Sequence, residues 1–229
     1  MNIAETVKSV MSPPHKAGYP FIIGGIVVAA LGLLIGYPLT WLGLIFALFC
    51  LYFFRDPERV PPPRTDVFLA PADGLVVSIE QATPPPELGL APEPRTRVAI
   101  FLSVLDVHVN RVPISGTVQK IAYHPGLFLS AAEDKASDDN ERNTMLLRTA
   151  SGQDVVVVQI AGLIARRILC EVTEGQELLA GQRFGIIRFG SRTDLYLPEG
   201  CTPLVAVGQR MIGGETVIAE LSLKAASFP

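Results

Sequence analysis

The chain has 229 residues, 49% of them hydrophobic and 18% charged, with a mean hydropathy of +0.38. That balance excludes a disordered polypeptide, which needs low hydrophobicity and high charge. A net charge of −3 argues against a nucleic-acid partner. Three cysteines without a C-x-x-C pair, beside only three scattered histidines, argue against a disulfide scaffold or a metal centre.

Residues 17–54 contain no charged side chain. As one helix this stretch would run about 57 Å, nearly twice the hydrocarbon core of a bilayer. Gly36-Tyr37-Pro38 interrupts it, because proline stops a helix and glycine loosens one. The pattern predicts two apolar helices, 19–36 and 39–54, forming a membrane hairpin; each is near the shortest length that spans, so crossing and re-entrant geometries both stay open. Tyr37, Trp41, Tyr52, Phe53 and Phe54 stand near the helix ends, where an aromatic belt belongs. Lys8 and Lys16 precede the hairpin, Arg55, Arg59 and Arg64 follow it, and its turn has no cation. The positive-inside rule puts both ends in the cytoplasm, so the expected location is the cytoplasmic face of the inner cell membrane. A helix pair buried in a soluble core would keep a polar face, and these segments have none.

Residues 1–57 are thus a membrane anchor and residues 58–229 a domain long enough for its own core. Beyond residue 57, thirteen of the sixteen Lys and Arg are Arg, a bias that suits an anionic ligand as well as ordinary surface ion pairs. Apolar, β-branched runs punctuated by Gly and Pro predict strands at 74–80, 97–102, 116–123, 143–148, 154–160, 185–188, 194–196, 202–206 and 216–221. No long amphipathic helix intervenes; residues 161–170 read as strand or short helix. The class is mainly β (a β-rich α+β chain), with an antiparallel sandwich or barrel-sandwich domain behind the helical hairpin. There is a weak internal echo. Gly181-Gln182-Arg183 resembles Gly208-Gln209-Arg210, and Ala72-Asp73-Gly74-Leu75-Val76 resembles Ile114-Ser115-Gly116-Thr117-Val118. Such Gly-turn-strand units occur in lipoyl-type folds. Pro61-Pro62-Pro63 reads as a linker, the proline-rich stretch 84–94 as a surface loop, 127–129 as a core strand end and the acidic run 133–141 as a solvated loop.

Three short motifs carry an acid, a histidine and a serine: Pro71-Ala72-Asp73-Gly74, Asp106-Val107-His108 and Phe189-Gly190-Ser191. Each falls at a turn or strand end. A hydrolase triad is one reading, although the G-x-S-x-G elbow is missing. A membrane-anchored lipoyl-like adaptor without chemistry is another.

Taken in order with Phe53-Phe54-Arg55-Asp56-Pro57 and Asn140-Glu141-Arg142-Asn143, these motifs resemble the phosphatidylserine decarboxylases of the short bacterial type over nearly the whole chain. The resemblance implies a self-processing pyruvoyl enzyme. It would cut between Gly190 and Ser191 into a β chain, 1–190, and an α chain, 191–229, which stay together as a heterodimer. It implies a covalent pyruvoyl cofactor made from Ser191, with phosphatidylserine and membrane lipid as partners, phosphatidylethanolamine and CO2 as products, and no metal. Homo-oligomerisation stays open. Glycine at 190 leaves the carbonyl unobstructed for attack by the Ser191 hydroxyl. His108 is the expected base, with Asp73 orienting it. Longer members of the family carry a second histidine where this chain has Arg111, so His108 is expected to serve both self-cleavage and protonation. Arg111 is a candidate carboxylate or phosphate ligand or a structural ion-pair member. His124, Asn140, Glu141 and Arg142 are further candidate substrate contacts, each also explicable by turn or loop hydrogen bonding.

Overall fold

The computed structural model describes residues 12–126, 140–162, 167–188 and 191–221. Gly190, the apolar segment 127–129 and most of the acidic run 133–141 lie outside them. The chain divides into two compact units, Met1–Glu58 and Arg59–Pro229.

The first unit is a helical hairpin of α1 (Tyr19–Ile35) and α2 (Tyr37–Phe53). The second helix starts two residues earlier than its sequence suggests, with Pro38 in its first turn. Proline stops a helix from within, but in a first turn its missing N–H has no intrahelical bond to lose. The helices meet through small residues. A Cβ on Gly43 would lie 2.4 Å from the Ala29 nitrogen, and one on Gly25 2.9 Å from the Ala47 nitrogen. Large apolar side chains point the other way: Ile26, Leu33, Leu34, Leu42, Ile45 and Leu48 are all exposed. Small residues inside and large ones outside reverse the order of a soluble helix pair and match packing in lipid. The stretch Lys16–Ile35 is long and apolar enough to cross a membrane, and Tyr37–Phe53 is shorter. At the open end the His15 N–H donates to the Phe54 carbonyl at 2.7 Å and the Asp56 N–H to that of Pro13 at 2.9 Å.

In the second unit the described strands are β1 (Val67–Leu69), β2 (Gly74–Ala82), β3 (Arg95–Leu102), β4 (Val109–Arg111), β5 (Gly116–His124), β6 (Arg142–Arg148), β7 (Asp154–Ala161), β8 (Ile168–Cys170), β9 (Glu177–Leu178), β10 (Arg183–Ile187), β11 (Ser191–Tyr196), β12 (Arg210–Met211) and β13 (Val217–Glu220). Eight form an antiparallel sheet in the order β12-β2-β3-β11-β7-β6-β5-β9; β4-β10-β8 and β1-β13 form two smaller sheets. The expected strand at 202–206 is reduced to one bridge, Pro203 to Ala219, since proline brings no N–H to a ladder. The undecided segment 161–170 ends as β8.

The sequence echo is a structural repeat. Gly74 and Gly116 open β2 and β5, and a Cβ on either would meet a neighbouring-strand carbonyl, Phe101 at 2.2 Å or Arg148 at 2.6 Å. Both strands shift register at the same place, between Val76 and Ser78 and between Val118 and Lys120. The Val76 and Val118 backbones each exchange two hydrogen bonds with a Gly-Gln turn, Gly208-Gln209 and Gly175-Gln176 respectively; Val112 does the same with Gly181-Gln182. In all three turns the glutamine Oε1 accepts an N–H three residues back. The half β12-β2-β3-β11 therefore matches the half β9-β5-β6-β7 about a pseudo-twofold between β11 and β7.

The two faces of the large sheet differ. The inner face packs Val98, Ile100, Leu195, Val157, Met145 and Leu147 into the main core. On the outer face, beneath the proline-rich loop, lies a smaller cluster of Leu88, Leu146, Val156, Val158, Ile160 and Tyr196. It is flanked by ion pairs. Arg192 and Asp194, both 1% exposed, make a two-pronged pair at 2.7 and 2.8 Å. Arg97 reaches Asp194 at 3.7 Å and also pairs with Glu80. Burial lowers the Arg192 pKa, but Asp194 outweighs it and the net shift is upward. Burial and then Asp194 push Tyr196 up to about 12. Asp194→Ala leaves two buried guanidinium groups short of their acid. It is expected to lower unfolding stability by about 3–5 kcal/mol, read as a lowered denaturation midpoint of the detergent-solubilised chain.

Candidate active site

Two strand pairings bring the site together. At the end of β3, Leu102 lies opposite Ser191 at the start of β11. In the small sheet Val109 of β4 lies opposite Ile186 of β10. The connection from β3 to β4, which carries His108, therefore starts beside Ser191 and ends beside β10. The Ile187 N–H donates to the His108 carbonyl at 3.3 Å.

Ser191 is fully buried, and β11 is laddered on both sides, with Ala161 of β7 as its second neighbour. The Ser191 Oγ has no hydrogen-bond partner among the described residues. His108 is also fully buried, with Nδ1 3.0 Å from the Asp106 carbonyl oxygen. A carbonyl only accepts, so this contact fixes the proton on Nδ1 and leaves Nε2 as the basic nitrogen. The Asp106 carboxylate in turn closes its own turn, accepting from the Ser103 N–H at 2.9 Å and hydroxyl at 2.7 Å.

Asp73 precedes β2 at the same end of the sheet, since Leu75 lies opposite Phe101. Its carboxylate accepts from Arg59 at 2.7 Å and from the Gly213 N–H at 2.8 Å. The Asp106 carbonyl gives the His108 ring a backbone partner that the sequence motifs do not assign. Arg111 is buried on β4 and donates to the Gly181 carbonyl at 3.0 Å, bracing one of the Gly-Gln turns.

Asn140 and Glu141 converge on Ala161, the strand neighbour of Ser191. The Asn140 Nδ2 donates to the Ala161 carbonyl at 2.8 Å, and the Glu141 carbonyl accepts the Ala161 N–H at 2.9 Å. The Glu141 carboxylate also accepts the Ile168 N–H at 3.3 Å. Arg142 turns to the outer face, where its guanidinium meets Glu87 at 2.7 and 3.2 Å. Burial pushes the Glu87 carboxyl up, but hydrogen bonds from Arg142 and Thr144 outweigh it and hold it below its ordinary value. His124 is exposed at the end of β5, opposite Arg142.

A row of buried polar side chains behind Ser191 joins Asn143, of the motif at 140–143, to three residues outside the quoted motifs. Asn143 donates to Gln159 at 3.0 Å, Gln159 to Asn110 at 2.8 Å, and Asn110 to Thr193 at 3.4 Å. The row crosses β6, β7, β4 and β11 and links the two sheets. Its members look unremarkable one by one; only the strand order joins them. Thr193 and Ser191 share a face of β11, and Asn110 lies on β4, two residues after His108. The inner face thus passes from an apolar core, through this polar row, to the serine and histidine.

The family model for phosphatidylserine decarboxylase matches residues 46–219. A phosphatidylserine decarboxylase proenzyme of Granulibacter bethesdensis is 65% identical, over 97% of this chain and 91% of that protein. Proteins of the same name from Gluconacetobacter diazotrophicus and Cereibacter sphaeroides are 57% and 55% identical, over 96% and 95% of this chain and 100% and 94% of theirs. With three quarters of its length inside one family model and full-length relatives at this identity, the chain belongs to the phosphatidylserine decarboxylase family of enzymes.

Proposed function

We propose that the chain converts its own Ser191 into a pyruvoyl group and uses it to decarboxylate phosphatidylserine to phosphatidylethanolamine and CO2 at the cytoplasmic face of the cell membrane. The observation that carries this reading is the Ser191 hydroxyl, buried and without a hydrogen-bond partner among the described residues. Such a group costs about 1–3 kcal/mol, so a stable fold that keeps one points to chemistry at that atom. The same orphaned atom suits a site whose side chain is to be consumed.

In self-cleavage the Ser191 Oγ attacks the Gly190 carbonyl carbon while His108 Nε2 takes the hydroxyl proton. His108 returns that proton to the Ser191 nitrogen as the C–N bond breaks, giving an ester. Loss of the Ser191 Cα proton expels the Gly190 carboxylate and leaves dehydroalanine, which water hydrolyses to pyruvoyl and ammonia. Asp73, at the same end of the sheet, supplies a fixed negative charge that favours the imidazolium. The pyruvoyl group, when present, supplies a carbonyl that condenses with the substrate amine and accepts the electrons released with CO2. His108 then delivers the proton to the substrate carbon. Asn140 and Glu141 hold Ala161 in register against Ser191, Arg111 braces the turn at Gly181, Arg142 ties β6 to Glu87 on the outer face, and His124 faces the head group from the rim.

Residues 191–221 contribute β11, β12 and β13, each paired to a strand N-terminal to the cut. That pairing supports a cleaved α chain that stays bound. The small-inside, large-outside packing of the hairpin supports a bilayer anchor. A substrate with two acyl chains resists leaving the bilayer, at about 0.8 kcal/mol per buried CH₂, so the enzyme must work at the interface.

Reagents for carbonyls and for serines separate this reading from a hydrolase. Hydroxylamine is expected to abolish decarboxylation, and a serine-directed phosphonate to leave it unchanged. Inactivation by the phosphonate alone would overturn the pyruvoyl reading.

A further inference from the structure

An arc of exposed apolar side chains runs outward from the reaction centre. Leu105 (60% exposed) and Val104 stand on the turn before His108. Asp106 of that turn pairs with Arg210 at 3.1 Å, and Ile212 follows two residues later, 43% exposed. Glu215, beside Ile212 in its turn, accepts the Val60 N–H at 3.0 Å, and Val60 is 81% exposed. Pro61 packs against Gly181, so closely that a Cβ there would come within 2.4 Å. Two residues before Gly181 is Leu179, 72% exposed. Four separate chain segments thus each present a large apolar side chain to solvent, around a site whose own groups are buried.

We propose that Val60, Val104, Leu105, Leu179 and Ile212 are the membrane-docking surface of the β domain, inserting among phospholipid head groups and upper acyl chains. The inference rests on the reading of the hairpin as a bilayer anchor. Chain length names the occupant. Val60 follows Phe54, at the end of α2, by six residues, a reach of at most about 22 Å. Val60 is therefore tethered to the surface where the hairpin emerges. Arg210, whose side chain is 72% exposed within the arc, adds a cation for lipid phosphates. Docking here sets the turn that leads into His108 against the bilayer, so that a phospholipid presents its head group without leaving the membrane.

The test uses the full chain reconstituted in phosphatidylcholine–phosphatidylglycerol vesicles, with and without acyl-chain-brominated phosphatidylcholine as quencher. Trp41 is the sole tryptophan, so Leu105→Trp, Leu179→Trp and Ser151→Trp are each made on a Trp41→Phe background. Ser151 stands in the turn between β6 and β7, at the sheet end away from Ser191. Leu105→Trp and Leu179→Trp are expected to lose emission to brominated lipid, and Ser151→Trp to keep it. If both test positions stay unquenched while Trp41 of the unsubstituted chain is quenched, the docking surface is wrong and the anchor stands. If Trp41 is unquenched too, both fail.

Discussion

Ser191→Ala is expected to leave a single chain of about 24.7 kDa with no decarboxylase activity. The substitution removes one oxygen from a fully buried position where it bonds to nothing described. The fold should therefore be at least as stable as before, because deleting an unsatisfied buried hydroxyl removes a desolvation cost. The ladders to Leu102 and Ala161 are backbone bonds and remain. Loss of function without loss of folding is the combination to look for, with denaturing electrophoresis for the chains, CO2 release for activity and a thermal melt for the fold. An alanine variant that still divides would show that Ser191 is not the nucleophile.

His108→Ala is expected to be nearly as severe, stopping maturation and leaving the precursor intact. The imidazole is buried with its Nδ1 proton committed to the Asp106 carbonyl, so Nε2 is the nitrogen able to take the serine proton. General-base catalysis of this kind contributes roughly 10²–10⁴-fold, enough to turn a complete conversion into a trace over a time course. Asp73→Asn should slow maturation less. Asparagine keeps the side chain's size and removes only its charge, while the Asp106 carbonyl still accepts from the His108 Nδ1. Time courses of precursor on denaturing gels separate the two. Maturation of His108→Ala at the unsubstituted rate would remove histidine from the role of base.

The hairpin was legible because an unbroken uncharged run has few physical meanings, and the longer strands because Gly and Pro bound their β-branched runs. The β1, β4, β9 and β12 strands were not legible, and the segment of β8 read as either strand or short helix. Two or three residues carry no period, and their conformation is set by the partners they meet. The Gly-Gln turns were visible as an echo, but not their reciprocal bonds to Val76, Val112 and Val118. At the site, Ser191 and His108 came from ordered motifs. Of the row Asn143–Gln159–Asn110–Thr193 the motifs hold only Asn143, and the connection could not be read because its members sit on four strands brought together only by pairing order. Arg142 illustrates the converse: its motif adjoins the site in sequence, but strand alternation sends its side chain to Glu87 on the outer face.

The central claim is that Ser191 becomes the prosthetic group, and the intact mass of an active preparation under denaturing conditions tests it most directly. The account predicts two chains divided between residues 190 and 191, the smaller lighter than its serine-initiated form by one ammonia. A single species at 24.7 kDa in a fully active preparation would contradict it.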